Sequence, residues 1–136
     1  MGTNLKEIVE TAFGDITEEF NLSVEDRTSN WEHVELYNSN CIVRFICDFG
    51  SIEVGFINPQ ERLAAEKMKR EDNFPTGYPI YPIYFVWEYL YPNDKVNFRT
   101  SSRDKTEEVF AAKKLLTERF ENIMRGDFSW TKLLRK

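Results

Sequence analysis

The period of the apolar residues changes along the chain, and each change marks a new kind of element. From residue 4 to 20, Leu5, Ile8, Val9, Ala12, Phe13, Ile16 and Phe20 recur at helical spacing, with Glu7, Glu10 and Glu18 on the other side. That pattern predicts an amphipathic first helix, which Gly14 weakens without ending. The period then falls to two. Leu22 and Val24 alternate with polar residues, as do Val34 and Leu36 after a turn around Thr28-Ser29-Asn30. Asn38-Ser39-Asn40 turns into the apolar run Cys41 to Phe49, and Gly50-Ser51 turns into Ile52, Val54 and Phe56. Four short strands joined by short turns predict an antiparallel meander.

Helical signals return after the sheet. Asn58-Pro59-Gln60-Glu61 has a capping residue, a proline suited to the first turn and a glutamate at capping-box spacing. The helix it opens has only Leu63, Ala64 and Met68 to bury, so a short and largely exposed helix is expected. Residues 74–92 hold four of the five prolines and eight of the twenty Phe, Trp and Tyr residues. Pro75, Pro79 and Pro82 keep its first part extended, and Pro82 and Pro92 bracket a short helix with Ile83, Val86, Trp87 and Leu90 on one face. A last helix runs from a cap at Asp104, through Val109, Ala112, Leu116, Phe120 and Ile123, to Gly126. A final turn carries Trp130, Leu133 and Leu134. The expected fold is one α+β domain over residues 1–136: an N-terminal helix, a four-stranded antiparallel meander sheet, then C-terminal helices packed on one face of the sheet.

Strand parity divides the sheet's side chains. If Val34, Leu36, Cys41, Val43, Phe45 and Cys47 face the core, the other face carries Trp31, His33, Glu35 and Tyr37 from one strand. Ile42, Arg44, Ile46 and Asp48 join them from the next, with Glu53, Gly55 and Ile57 from the fourth and Glu25 and Arg27 from the first. Trp, Tyr and Arg anchor many protein interfaces. The candidate partner-binding residues are therefore Trp31, His33, Glu35, Tyr37, Arg44 and Glu53. The alternative is that another element, such as the aromatic segment, covers this face.

Charge sharpens that expectation. The net charge is −5, but residues 1–58 hold 11 acids and three bases, whereas residues 59–136 hold 12 acids and 15 bases. An acidic half suits a basic partner and opposes phosphate-rich nucleic acid. The aromatic segment holds no Lys or Arg from 74 to 92, unlike the basic grooves of single-strand binders. Cys41 and Cys47 lie six residues apart on one strand, too far to bridge, and read as free thiols. They fit a reducing compartment, and no apolar run is long enough to span a bilayer or resembles a secretory signal, so a cytoplasmic protein is expected.

Catalytic and cofactor signatures are absent. The single histidine restricts metal sites and hydrolytic triads, and no cofactor or metal is expected. His33-Val34-Glu35 matches the H-x-E fragment of zinc deaminases, but no P-C-x-x-C pair accompanies it. Glu35 and Glu53 form a conceivable carboxylate pair, though carboxylates on strands are usually solvated.

The order of elements is an acidic helix, a meander with Trp31 opening one strand, Asn58-Pro59 leaving the sheet, and a close on Gly126-Asp127-Phe128-Ser129-Trp130. It resembles small bacterial immunity proteins encoded beside polymorphic toxins. That resemblance implies a cofactor-free, non-enzymatic binding module that caps a basic toxin, with no functional residues to carry over. Two alternatives stand beside it. One is a small-molecule binder or enzyme with a pocket between the sheet and the helices at 82–126, lined by Tyr84, Trp87 and inward carboxylates; the other is a phage or structural assembly protein.

Overall fold

The computed structural model describes residues 4–48, 51–70, 78–101 and 104–134, without the side chains of Asp48, residues 68–70 and Leu134. Gly50 of the expected turn, Phe74 and Pro75 lie outside the described residues. The fold is α+β with an antiparallel sheet. Helix α1 (Leu5–Phe13) is capped by Asn4, whose side chain accepts from the Glu7 N–H at 2.9 Å. Leu5, Ile8, Val9, Ala12 and Phe13 are buried at the expected spacing.

The single first helix is corrected to two. The chain turns at Gly14–Ile16, then forms α2 (Thr17–Phe20), which ends on Asn21 in the left-handed region (φ 55°). Gly14 and Asp15 are poor helix formers, and Lys113 holds the Asp15 carboxylate at 2.5 Å. Together they outweigh the apolar stripe that runs across the break.

Strands β1 (Ser23–Asp26), β2 (Glu32–Tyr37), β3 (Ile42–Asp48) and β4 (Ser51–Ile57) form the meander in sequence order. The sheet has five strands rather than four: β5 (Tyr81–Pro82) pairs antiparallel with Gly55 and Phe56 at the end of β4. Of the proline-rich segment, Tyr81 and Pro82 are extended as expected, and the Tyr81 ring is buried against Trp130, centroids 5.1 Å apart. Phe56 lies beside Tyr81 in the ladder, so burial of that ring sets the register of the extra strand.

Helix α3 (Pro59–Arg70) begins as predicted, with the Asn58 side chain accepting from the Gln60 N–H at 3.0 Å. Its buried face differs from expectation. Leu63 and Ala64 are exposed while Arg62 is buried, because the helix is turned so that Arg62 meets a carboxylate on the sheet. Helix α4 (Ile83–Leu90) starts directly after β5 and buries Ile83, Val86 and Trp87. Helix α5 (Lys105–Arg119) is capped by Asp104 and buries Val109, Ala112, Leu115 and Leu116. Its predicted extension to Gly126 is interrupted at Phe120 (φ −122°), and α6 (Glu121–Met124) resumes one residue later. The stripe keeps its spacing across that gap, so the sequence pattern does not register it. A last turn, α7 (Thr131–Leu134), follows the buried Trp130, and its Leu133 is exposed.

One core joins these parts. Val34, Leu36, Val43, Phe45 and Phe56 from the sheet cluster with buried residues of α1, α4 and α5. Edge-to-face contacts link Phe13 with Phe45 at 5.7 Å and Phe56 with Phe120 at 5.4 Å. Cys41 is a buried free thiol whose pKa burial pushes up to about 12, and Cys47 is free and half-buried.

Two polar side chains fasten the elements. Asn38, in the turn between β2 and β3, donates to the carbonyls of Phe20 (2.9 Å) and Met124 (3.0 Å) and accepts from the N–H groups of Asn40 and Cys41. The same turn packs against Gly126 (φ 108°), where an added Cβ would stand 3.0 Å from that of Asn40. Glu32 accepts from the first N–H of α1, Leu5, at 2.7 Å and pairs with Lys105 at the start of α5.

Candidate functional site

Alternation along β2 places Val34 and Leu36 in the core and leaves Tyr37 37% exposed; Trp31, expected to open the strand, lies in the bend just before it and is 49% exposed. The register aligns the second face in rows across the sheet. Glu25, Glu35, Arg44 and Gly55 form one row; His33, Ile46 and Glu53 form the next; Tyr37, Ile42 and Ile57 a third. Ile42, Ile46 and Ile57 are buried but lie apart from the main core cluster, so this face has a small apolar floor of its own.

Its centre is ionic. Glu35 is only 1% exposed and receives a two-pronged hydrogen bond from Arg62, Nη1 to Oε1 at 2.8 Å and Nη2 to Oε2 at 2.5 Å. Arg62 Nη2 also donates to the Tyr78 hydroxyl at 3.1 Å, and its guanidinium lies over the Tyr78 ring. Arg27 Nε stands 3.0 Å from Glu25 and 3.6 Å from Glu35, easing the repulsion between two carboxylates paired directly across β1 and β2. His33 Nε2 is 3.3 Å from Glu35 Oε2 but makes no hydrogen bond.

Burial alone would raise the pKa of Glu35. The Arg62 hydrogen bonds, with the charges of Arg62 and Arg27, outweigh it and hold the carboxyl below its ordinary value. The shift runs opposite to the one that tunes a carboxylate for proton transfer near neutral pH. Burial pushes His33 below its usual value; nearby Glu35 opposes this and Arg44 reinforces it. The imidazole is therefore neutral at neutral pH.

The six candidate residues thus fall into three groups. Tyr37 stands exposed at the end of β2 and Trp31 just before its start. Glu35 and His33 belong to the ionic centre, where Glu35 is committed to Arg62 and has no surface to offer a partner. That corrects its place among the contact residues. Arg44 is half-buried and Glu53 exposed, and both line a cavity of about 270 Å³ with Gly55, Ile80, Pro82 and Tyr84. Glu35 and Glu53 sit in different rows on nonadjacent strands, so they are not brought together.

Sequence reasoning missed Arg62 and Tyr78. The available signal was Glu35 itself: a carboxylate between two buried apolar residues demands a partner, although the sequence does not say that Arg62 of α3 supplies it rather than Arg44, which comes first in the chain and faces Glu35 across the sheet. Among the described residues, Arg62 of α3 and Tyr78 of the aromatic segment cover the centre of this face.

Among the described residues no cluster of His, Cys, Asp and Glu could hold a metal ion, and no helix is long and apolar enough to cross a membrane. Between β4 and the helices, Ile52, Val54, Tyr84, Arg99, Thr100 and Glu108 line a cavity of about 220 Å³. Drug-sized ligands generally need about 300 Å³ or more. A wider depression of about 480 Å³ beside Tyr91, Lys95 and Arg119 is open to solvent. Comparison of the chain with protein-family models, curated proteins and solved structures returns no match.

Proposed function

We propose that this protein is a non-enzymatic binding module for a basic protein partner, acting in the manner of an immunity protein that caps a toxin. In this reading the C-terminal helices pack on one face of the sheet, and the second face carries the contacts. Trp31 and Tyr37 are the anchors, with Arg44 and Glu53 between them and the β4 edge. His33 lies behind them, in the ionic centre. The exposed acids of the first half of the chain speed encounter with positive charge.

One observation carries the reading: two large rings stand in solvent on a face whose central carboxylate is already neutralised internally by Arg62. Such a surface presents two large rings that remain substantially exposed. Hot-spot aromatics of this kind typically contribute about 2 kcal/mol or more to binding.

The test is co-expression and co-purification with the product of the adjacent gene. Trp31→Ala and Tyr37→Ala should each weaken the complex about thirtyfold and leave thermal stability unchanged. Raising salt should slow association. Full binding by both variants, or association indifferent to salt, contradicts the reading.

A further inference from the structure

Both edges of the sheet end differently. On β1 the edge is four residues long and carries Glu25 and Asp26, both exposed, which discourage pairing with another strand. On the far side, β5 covers β4 only at Gly55 and Phe56, and the chain then turns at Ile83 into α4. From Ser51 to Val54 the outer edge of β4 has no strand partner among the described residues.

Cavities lie on both faces of that open edge. The one of about 270 Å³ has Arg44, Glu53 and Ile80 on the second face, and the one of about 220 Å³ has Arg99 and Thr100 towards the helices. Ile52, Val54 and Tyr84 border both. A cavity of about 150 Å³ is enough for a benzene-sized group, so each can take an incoming side chain. An extended peptide sends alternate side chains to opposite faces of a sheet. A strand laid along Ser51–Val54 would fill the two cavities in turn while bonding its backbone to the free edge.

We propose that the outer edge of β4 is a strand-addition site for an extended segment of a partner protein that reads apolar–basic–apolar. The apolar residues pair with Ile52 and Val54 and enter the cavity beside Tyr84. The basic residue lies opposite Glu53, which is exposed and makes no ion pair or hydrogen bond among the described residues. Entering antiparallel to β4, the segment continues the line that β5 abandons at Pro82. Backbone pairing supplies affinity and the two cavities supply selection, as in other strand-addition complexes. The proposal rests on the reading of this chain as a protein-binding module and names a second contact on it.

A short capped peptide centred on Val-Lys-Val is the probe, added to isotope-labelled full-length protein and followed by backbone amide spectra and hydrogen exchange. The expected response is a shift of the Ser51–Val54 amides, with their exchange slowed about tenfold at ten times Kd. A peptide N-methylated at alternate amides should give no response. Glu53→Lys should turn the preference towards Val-Glu-Val by about threefold. Equal binding of the N-methylated peptide, responses confined to other parts of the chain, or outward amides of Ser51–Val54 already protected in the free protein would each overturn the proposal. The two readings also fail separately. Loss of partner binding in Trp31→Ala with the peptide response intact supports the edge site, whereas partner binding with a silent peptide removes strand addition alone.

Discussion

Glu35 shows how much a single side chain can commit. Its carboxylate lies under α3 and is held by both terminal nitrogens of Arg62. A buried pair of this kind gains little over an apolar pair of equal volume, but breaking it leaves a buried charge uncompensated. Glu35→Gln or Arg62→Met alone should therefore cost about 3 kcal/mol or more in urea unfolding. The double replacement Glu35→Leu with Arg62→Met should recover most of that loss. Single and double losses that simply add would show that the two groups are energetically independent, contrary to their geometry. Parity in β2 was legible in the sequence because a period of two needs only local alternation, and Val34, Leu36 and Tyr37 stand as it requires. The partner of Glu35 was not legible. It lies 27 residues away on a helix whose apolar residues pointed to a different buried face.

Among the elements, the turn between β2 and β3 carries more than a change of direction. Asn38 joins it to the ends of α2 and α6 through two hydrogen bonds and accepts two more from N–H groups within the turn. Asn38→Ala should destabilise the fold by about 2 kcal/mol, since two helix-end carbonyls and two turn N–H groups lose their partner. Asn38→Asp should be worse, because a carboxylate would face the Phe20 and Met124 carbonyls; chemical denaturation would rank the three proteins. An aspartate variant as stable as the parent would argue that water serves those carbonyls instead. The starts of α3 and α5 were legible through Asn58 and Asp104, whose caps depend on neighbours in sequence, and that of α1 through its apolar period. The breaks at Gly14 and Phe120 and the strand at Tyr81–Pro82 were not. Each is settled by contacts from distant segments: Lys113 on Asp15, Phe56 on Phe120, and Trp130 on Tyr81.

For the whole molecule, pH reports on these charges together. Glu32, Glu35 and Asp94 are all held below the ordinary carboxylate range. Burial works against the shift in Glu32 and Glu35, where Lys105 and Arg62 overcome it; Arg119 and Trp87 bind the Asp94 carboxylate directly. Their stabilisation is complete above the unfolded pKa of about 4 and is lost as pH falls through the lower folded values. His33 acts earlier. Its folded pKa lies below the unfolded value of about 6.5, so its contribution begins to fade under that pH as the unfolded chain takes up the proton. Thermal melts should thus decline in two stages on acidification, and His33→Gln should flatten the first stage alone. A first stage unchanged in that variant would assign it to another group.

Distance along the chain adds a temporal consequence. The first four strands are joined by neighbouring turns, while the Phe120 ring that packs on Phe56 comes 64 positions later. During synthesis the hairpins can close while the side that receives α5 still lacks its cover. For that interval Phe56, whose ring partner Phe120 has yet to be made, belongs to a sticky, half-built surface exposed to unwanted association until the last third has left the ribosome.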